Sequence, residues 1–228
     1  MKLTRNRKKI LENIDLNKVY EPLEAIKILK EKSFVKFNET VDVSINLGID
    51  TNKSDQNIKG VTNLPNGSGK NIKVAVITTP DKHKEAKENK ADIVGSDELI
   101  LQIEKKIEFD ILIATPDMMP LLGKVAKILG PKGLMPNPKL GTVTKDIGTA
   151  VKDAKSGQVK YKNDKTGIVH AGIGKLDFSE ENIIENLKSL YSSVVKSKPD
   201  TVKGSFVKKV SIASTMGVGL QINQNSLR

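Results

Sequence analysis

Cysteine and tryptophan are absent from this 228-residue chain, and only two histidines occur, His83 and His170. Without cysteine there are no disulfide staples, thiolate nucleophiles or thiolate metal ligands, and the redox compartment stays open. Aromatic residues are scarce, at 4%. Apolar runs such as Ile111-Leu112-Ile113-Ala114 fall far short of the roughly 20 residues that a bilayer crossing needs. The basic stretch from Met1 to Lys9 leads into no apolar signal segment, so the expected compartment is the cytoplasm and no membrane partner is expected. Neither histidine is joined by a second metal-ligating residue at helical spacing. No catalytic residue, metal or cofactor is therefore assigned, and the chain reads as a non-enzyme.

What is plentiful is lysine. Lys plus Arg number 38 against 27 Asp plus Glu, a net charge of +11, with arginine confined to Arg5, Arg7 and Arg228. Such an excess points to a polyanion: RNA, DNA or an anionic membrane. Its distribution is uneven. Residues 1–67 hold 12 basic and 9 acidic side chains, residues 159–228 hold 11 and 6, and the longer middle, 68–158, holds 15 and 12. Eight of the eleven net charges thus lie on the two chain ends.

The hydrophobic period changes along the chain. Helices are predicted over Arg5 to Ile14 and Glu21 to Lys32, followed by a strand in which Val41, Val43, Ile45 and Leu47 alternate with polar residues. After the breakers Leu64-Pro65-Asn66-Gly67-Ser68-Gly69 the pattern becomes continuous apolar strands (74–77, 92–94, 109–114) alternating with helices over 81–90, 97–107 and 117–129. That order argues for a parallel sheet covered on both faces. A helix follows from about Lys145 to Ala154, and Lys155-Ser156-Gly157 is a second break. Beyond it Val159, Tyr161 and Ile168 to His170 read as a hairpin about Asn163–Gly167. A long helix capped by Ser179 and two closing strands, near 206–214 and 219–222, finish the chain.

Asn66-Gly67-Ser68-Gly69-Lys70 fails as a nucleotide phosphate loop, because the motif needs glycine where Leu64 stands and a hydroxyl where Asn71 stands. The stiff loop Gly130 to Gly141 carries Lys132 and Lys139 and no acid. It fits either phosphate contact or a rigid connection covering the sheet edge. Ser214-Thr215-Met216-Gly217-Val218-Gly219 suits a sugar-phosphate backbone, with hydroxyls and glycines that admit close approach, or a tight turn with a bulge. Lys36-Phe37-Asn38-Glu39-Thr40 offers a stacking aromatic beside a cation, or a core phenylalanine opening a strand. His170 fits a half-buried strand position or a ligand contact on the open face of its sheet.

Together, Leu47-Gly48-Ile49-Asp50 with Lys53-Ser54-Asp55-Gln56-Asn57, Leu129 through Val143, Asn163 through Gly167 and Lys209 through Gly217 closely resemble the bacterial ribosomal protein L-one family. These are large-subunit proteins of the mobile stalk beside the tRNA exit site, and the resemblance covers essentially the whole chain. It implies an α/β fold of two domains. Residues 1–67 and 157–228 would form a discontinuous α+β RNA-binding domain with an open sheet. Residues 68–156 would form an inserted Rossmann-like, three-layer α/β/α domain, with linkers near Pro65 to Ser68 and Ser156 to Gln158. It further implies partners: the ribosome through large-subunit rRNA, the exit-site tRNA whose deacylated form it helps release, and the chain's own operon mRNA, whose translation it represses. The family's RNA-facing positions resemble Lys36, Phe37, Glu39, Thr40, Thr166, His170, Thr215, Met216 and Gly217 here, with Lys132 and Lys139 as possible phosphate contacts. Glu39 would accept a bond from a base amine or a ribose hydroxyl, and Phe37 would either stack on a base or pack beneath Thr215–Gly217.

Overall fold

Apolar residues at every second position make a strand with one face for the core and one for solvent. That alternation organises the first of two compact units in the computed structural model, which describes residues 5–11, 14–16, 18–105, 107, 109–202 and 204–227. One unit, here the outer, comprises residues 1–69 and 159–228; the other, the inserted unit, comprises residues 70–158. The chain is α/β.

The outer unit contains α1 (Arg5–Leu11), β1 (Val19–Tyr20), α2 (Pro22–Glu31), β2 (Thr40–Leu47) and β3 (Lys59–Asn63). Its later half supplies the last four strands and the longest helix, α8 (Glu180–Lys196). Those strands are β7 (Gln158–Lys162), β8 (Ile168–Lys175), β9 (Val207–Ser214) and β10 (Leu220–Ile222). Five strands form a sheet of order β1-β10-β9-β2-β8, antiparallel except for β1 beside β10. Val41, Val43 and Ile45 of β2, Val169 and Ile173 of β8, and Val210 and Ile212 of β9 are buried in one core with Ile26 and Leu29 of α2 and Ile183, Leu187 and Leu190 of α8. The Ser179 side chain caps α8 by accepting the Asn182 N–H. Pro22 opens α2, where its missing N–H costs nothing.

In the inserted unit the strands are β4 (Val74–Ile77), β5 (Ile93–Gly95) and β6 (Ile111–Ala114), parallel in the order β5-β4-β6. Its helices are α3 (His83–Glu88), α4 (Asp97–Lys105), α5 (Met119–Leu122), α6 (Ala126–Leu129) and α7 (Ile147–Lys155). Ala75, Ile77, Leu112 and Ala114 pack towards residues of α4, α5 and α6, whereas Val74, Val76, Ile111 and Ile113 pack towards Ala86 of α3 and Ile147 and Val151 of α7. That is the three-layer, Rossmann-like arrangement.

Several sequence expectations need correction. The Asn163–Gly167 turn closes as a hairpin with one antiparallel bridge, Asn163 to Val169, but beyond it the arms diverge: β7 pairs with β3, and β8 with β2. Asn163 drives the divergence by tying the end of β7 to the β3 side, its Oδ1 accepting the Ile58 N–H at 2.7 Å. The helix expected over 117–129 is interrupted by 3₁₀ turns at Pro116–Met118 and Gly123–Val125. Pro120 has no N–H to offer the carbonyl four residues back, and Gly123 weakens the middle. Similarly, a 3₁₀ turn at Pro80–Lys82 delays α3 to His83. The two-residue β1 is too short for any periodicity to announce.

Candidate nucleic-acid interface

Where β9 ends, Val41 of β2 faces Ser214, bringing the start of β2 against the segment Ser214–Gly217. Thr215 locks the two together: its Oγ1 accepts the Thr40 N–H at 3.0 Å and donates to the Thr40 carbonyl at 3.3 Å. The Gly217 N–H returns to the Ser214 carbonyl at 3.1 Å, closing a turn. A Cβ at position 217 would stand 2.3 Å from Ser214 Oγ, so a larger residue there requires the buried Ser214 side chain to shift. Met216 projects outward, 52% exposed.

Glu39 supports the turn from below. The residue is 1% exposed; its Oε1 accepts the Met216 N–H at 3.0 Å and its Oε2 accepts the Ser33 hydroxyl at 3.2 Å. Direct bonding of this carboxylate to RNA, as the resemblance implied, does not fit such burial. It holds the turn in shape instead, and a buried carboxylate is tolerated because donors surround it. Phe37 is 54% exposed, so it is not a core residue opening the strand. Lys36 beside it is also exposed. Lys175 of β8 fastens this loop, its Nζ donating to Thr40 Oγ1 at 3.1 Å and to the Asn38 carbonyl at 3.5 Å.

Thr166 and His170 gather around Asp164. The Thr166 hydroxyl donates to Asp164 at 2.7 Å, and the N–H groups of Thr166 and Ile168 each donate to Oδ1 at 2.9 Å. The Ile168 N–H and then the Thr166 hydroxyl hold the Asp164 carboxyl below its ordinary value, with His170 adding to the effect. His170 is exposed, with Nε2 3.7 Å from Asp164 Oδ2 and Nδ1 3.1 Å from Ser44 Oγ. Gly167, at φ +80°, supplies the left-handed residue this turn requires.

The sheet face turned away from α2 and α8 connects the two clusters. Asp42, Ser44 and Asn46 of β2 lie between Gly172 and His170 of β8 on one side and Ala213, Ser211 and Lys209 of β9 on the other. None of these side chains is buried. Ser44, Asn46 and Ser211, beside exposed Lys209, can offer hydrogen bonds to ribose and phosphate, whereas the Asp42 carboxylate can only accept.

Lys132 and Lys139 belong to the inserted unit and are not gathered onto this face. Lys132 is exposed after α6, and the backbone of Lys139 lies in a 3₁₀ turn, Pro138–Leu140, while its side chain lies outside the described residues. Among the described residues no group of three or more His, Asp or Glu could hold a metal ion, and no helix is long and apolar enough to cross a membrane.

A family profile described as "Ribosomal protein L1p/L10e family" matches residues 29–218. The chain belongs to the ribosomal protein L1p/L10e family. Relatives are similar over nearly their full length. A large ribosomal subunit protein uL1 of Mannheimia succiniciproducens is 53% identical over 227 residues, 99% of both chains. Those of Actinobacillus succinogenes and Pseudoalteromonas atlantica are each 51% identical, covering 99% of this chain and 99% and 97% of theirs. The L1p/L10e match spans every position gathered on the outer unit's candidate face, from Lys36 to Gly217.

Four residues that organise this candidate face were missed from sequence: Ser33, Ser44, Asp164 and Lys175. Asp164 alone carried a readable signal, since Asp two residues before Thr and three before Gly favours a side-chain-capped turn. The other three act through tertiary partners, which no local spacing reveals.

Proposed function

We propose that this chain is a non-enzymatic component of the large ribosomal subunit that binds large-subunit rRNA through its outer unit at the mobile stalk. Its expected location is the cytoplasmic ribosome. The observation that carries the reading is the Thr215-Met216-Gly217 turn, exposed at its tip yet braced from beneath by buried Glu39. Such a turn presents a fixed shape at low entropic cost on binding, which is what discrimination of a folded RNA demands. Exposed lysines supply salt-dependent attraction, and the uncharged turn supplies selectivity. RNA footprinting with the intact chain on large-subunit RNA tests the reading: one compact protected site supports it, and protection no stronger than on random RNA contradicts it.

Three finer roles accompany this proposal. The inserted unit, with Lys132 and Lys139 as phosphate contacts, moves relative to the outer unit as deacylated tRNA leaves the exit site. The same outer face recognises a matching structure in the chain's own operon mRNA and represses its translation. A cysteine pair engineered across the units tests the first, because unchanged tRNA release in the locked form contradicts it. Competition between the protected rRNA fragment and the operon leader tests the second.

A further inference from the structure

Beside the braced turn, and sharing Met216 and Gly217 with it, lies an apolar cleft. Arg7, Ile10 and Leu11 share one face of α1 at i, i+3 and i+4 spacing. That face, Phe34 and the segment Met216–Val218 enclose a cleft of about 330 Å³. Phe34 is 45% exposed and Met216 is 52% exposed, so two large apolar groups face solvent where they line it. This volume sits at the small end of ligand sites, roughly 300–1,000 Å³. It admits a planar ring system rather than a packed helix.

Resting on the RNA-binding reading above, we infer that this cleft takes one unstacked nucleobase of the bound RNA. Continuity is the first reason, because Met216 and Gly217 belong both to the cleft and to the turn proposed to meet the backbone. Charge is the second. Arg7 lines the cleft, and the next residue, Lys8, is exposed. A nucleotide has the matching division, with an apolar-faced ring joined to an anionic linkage. An aromatic ring and a thioether are suitable walls for a splayed-out base. The remaining walls, Ile10, Leu11 and Val218, present no hydrogen-bonding side chain, so the cleft reads the ring's shape and face rather than its edge pattern.

The test pairs RNA and protein changes. A single-position abasic scan is made on the large-subunit RNA fragment that the intact chain protects, and each RNA is titrated with wild type, Phe34→Ala and Phe34→Leu. Stacking on one aromatic wall predicts that one abasic position loses roughly tenfold or more in affinity. Phe34→Ala loses a comparable factor on intact RNA and nothing further on that abasic RNA, while Phe34→Leu, which keeps the bulk, loses less. If RNA binds but every abasic position and Phe34→Ala stay within about twofold, or if the two losses multiply independently, the inference is overturned. The cleft is then left to an apolar side chain of a neighbouring protein, and the RNA-binding reading stands. Failure of the intact chain to bind any large-subunit RNA overturns both.

Discussion

The two sheets of this molecule are written in different grammars, and their surfaces follow. In the outer unit β2 buries every second residue and leaves Asp42, Ser44 and Asn46 on an uncovered face. In the inserted unit β4 and β6 are buried at all four positions, with helices on both sides. A residue buried on either face contributes roughly 1.5–3 kcal/mol when it is a large aliphatic. The inserted sheet therefore spends both faces on its own stability, whereas the outer sheet leaves one face uncovered. The charge follows the same division, with +8 of the +11 on the segments that build the outer unit.

Substitutions that separate the two units are the sharpest way to break this contrast. Glu39→Ala should have the largest effect. It leaves the Met216 N–H and the Ser33 hydroxyl without their buried acceptor, at a cost of about 2–3 kcal/mol in thermal unfolding. Cognate RNA affinity should fall at least roughly tenfold as the turn loosens, and Glu39→Gln should restore part of both because it keeps an acceptor for Met216. Thr215→Ala comes next. Losing its paired bonds to Thr40 should cost about 1 kcal/mol, roughly fivefold, on cognate RNA and little on random RNA. Equal losses on the two RNAs would remove the specificity claim.

Lys36→Ala should do the reverse, reducing the salt slope of binding by about one unit on cognate and random RNA alike. In the inserted unit Asp92→Asn should lower thermal stability yet leave rRNA-fragment affinity unchanged. Asp92 Oδ2 accepts the Val74 N–H at 2.9 Å, and that bond and the nearby Lys155 hold its carboxyl below its ordinary value. A fall in affinity would break the assignment of recognition to the outer unit.

The smallest effect is acid sensitivity at Asp164. Its native carboxyl titrates below the unfolded value, so its contribution to stability is complete above about pH 4 and disappears as pH falls through the native value. Asp164→Asn should remove that part of the acid limb in unfolding measured between roughly pH 2 and 5. An acid limb identical to wild type would show that the turn's hydrogen bonds do not favour the ionised form.

How much of this was legible follows the range of each interaction. Helical and strand periods located α2, α8 and β2 because one buried face repeats every few residues, and a continuous apolar run located β4. Strand partners were not legible, so the hairpin reading missed that β7 and β8 part beyond the turn, where Asn163 anchors the end of β7 to Ile58 in the β3 direction. At the candidate site, residue types and family resemblance singled out Thr215, Met216 and Gly217. They could not distinguish an RNA-facing carboxylate from a buried brace: Glu39 and Thr40 are neighbours in sequence, but only the ladder with β9 sets Glu39 beneath Met216.

Amide hydrogen exchange of the intact chain, with and without the large-subunit RNA fragment, addresses the central claim most directly. The account predicts slowed exchange at residues 36–40 and 214–217, with the parallel strands of the inserted unit unchanged. Slowed exchange confined to residues 70–158, with 36–40 and 214–217 unaffected, would contradict it.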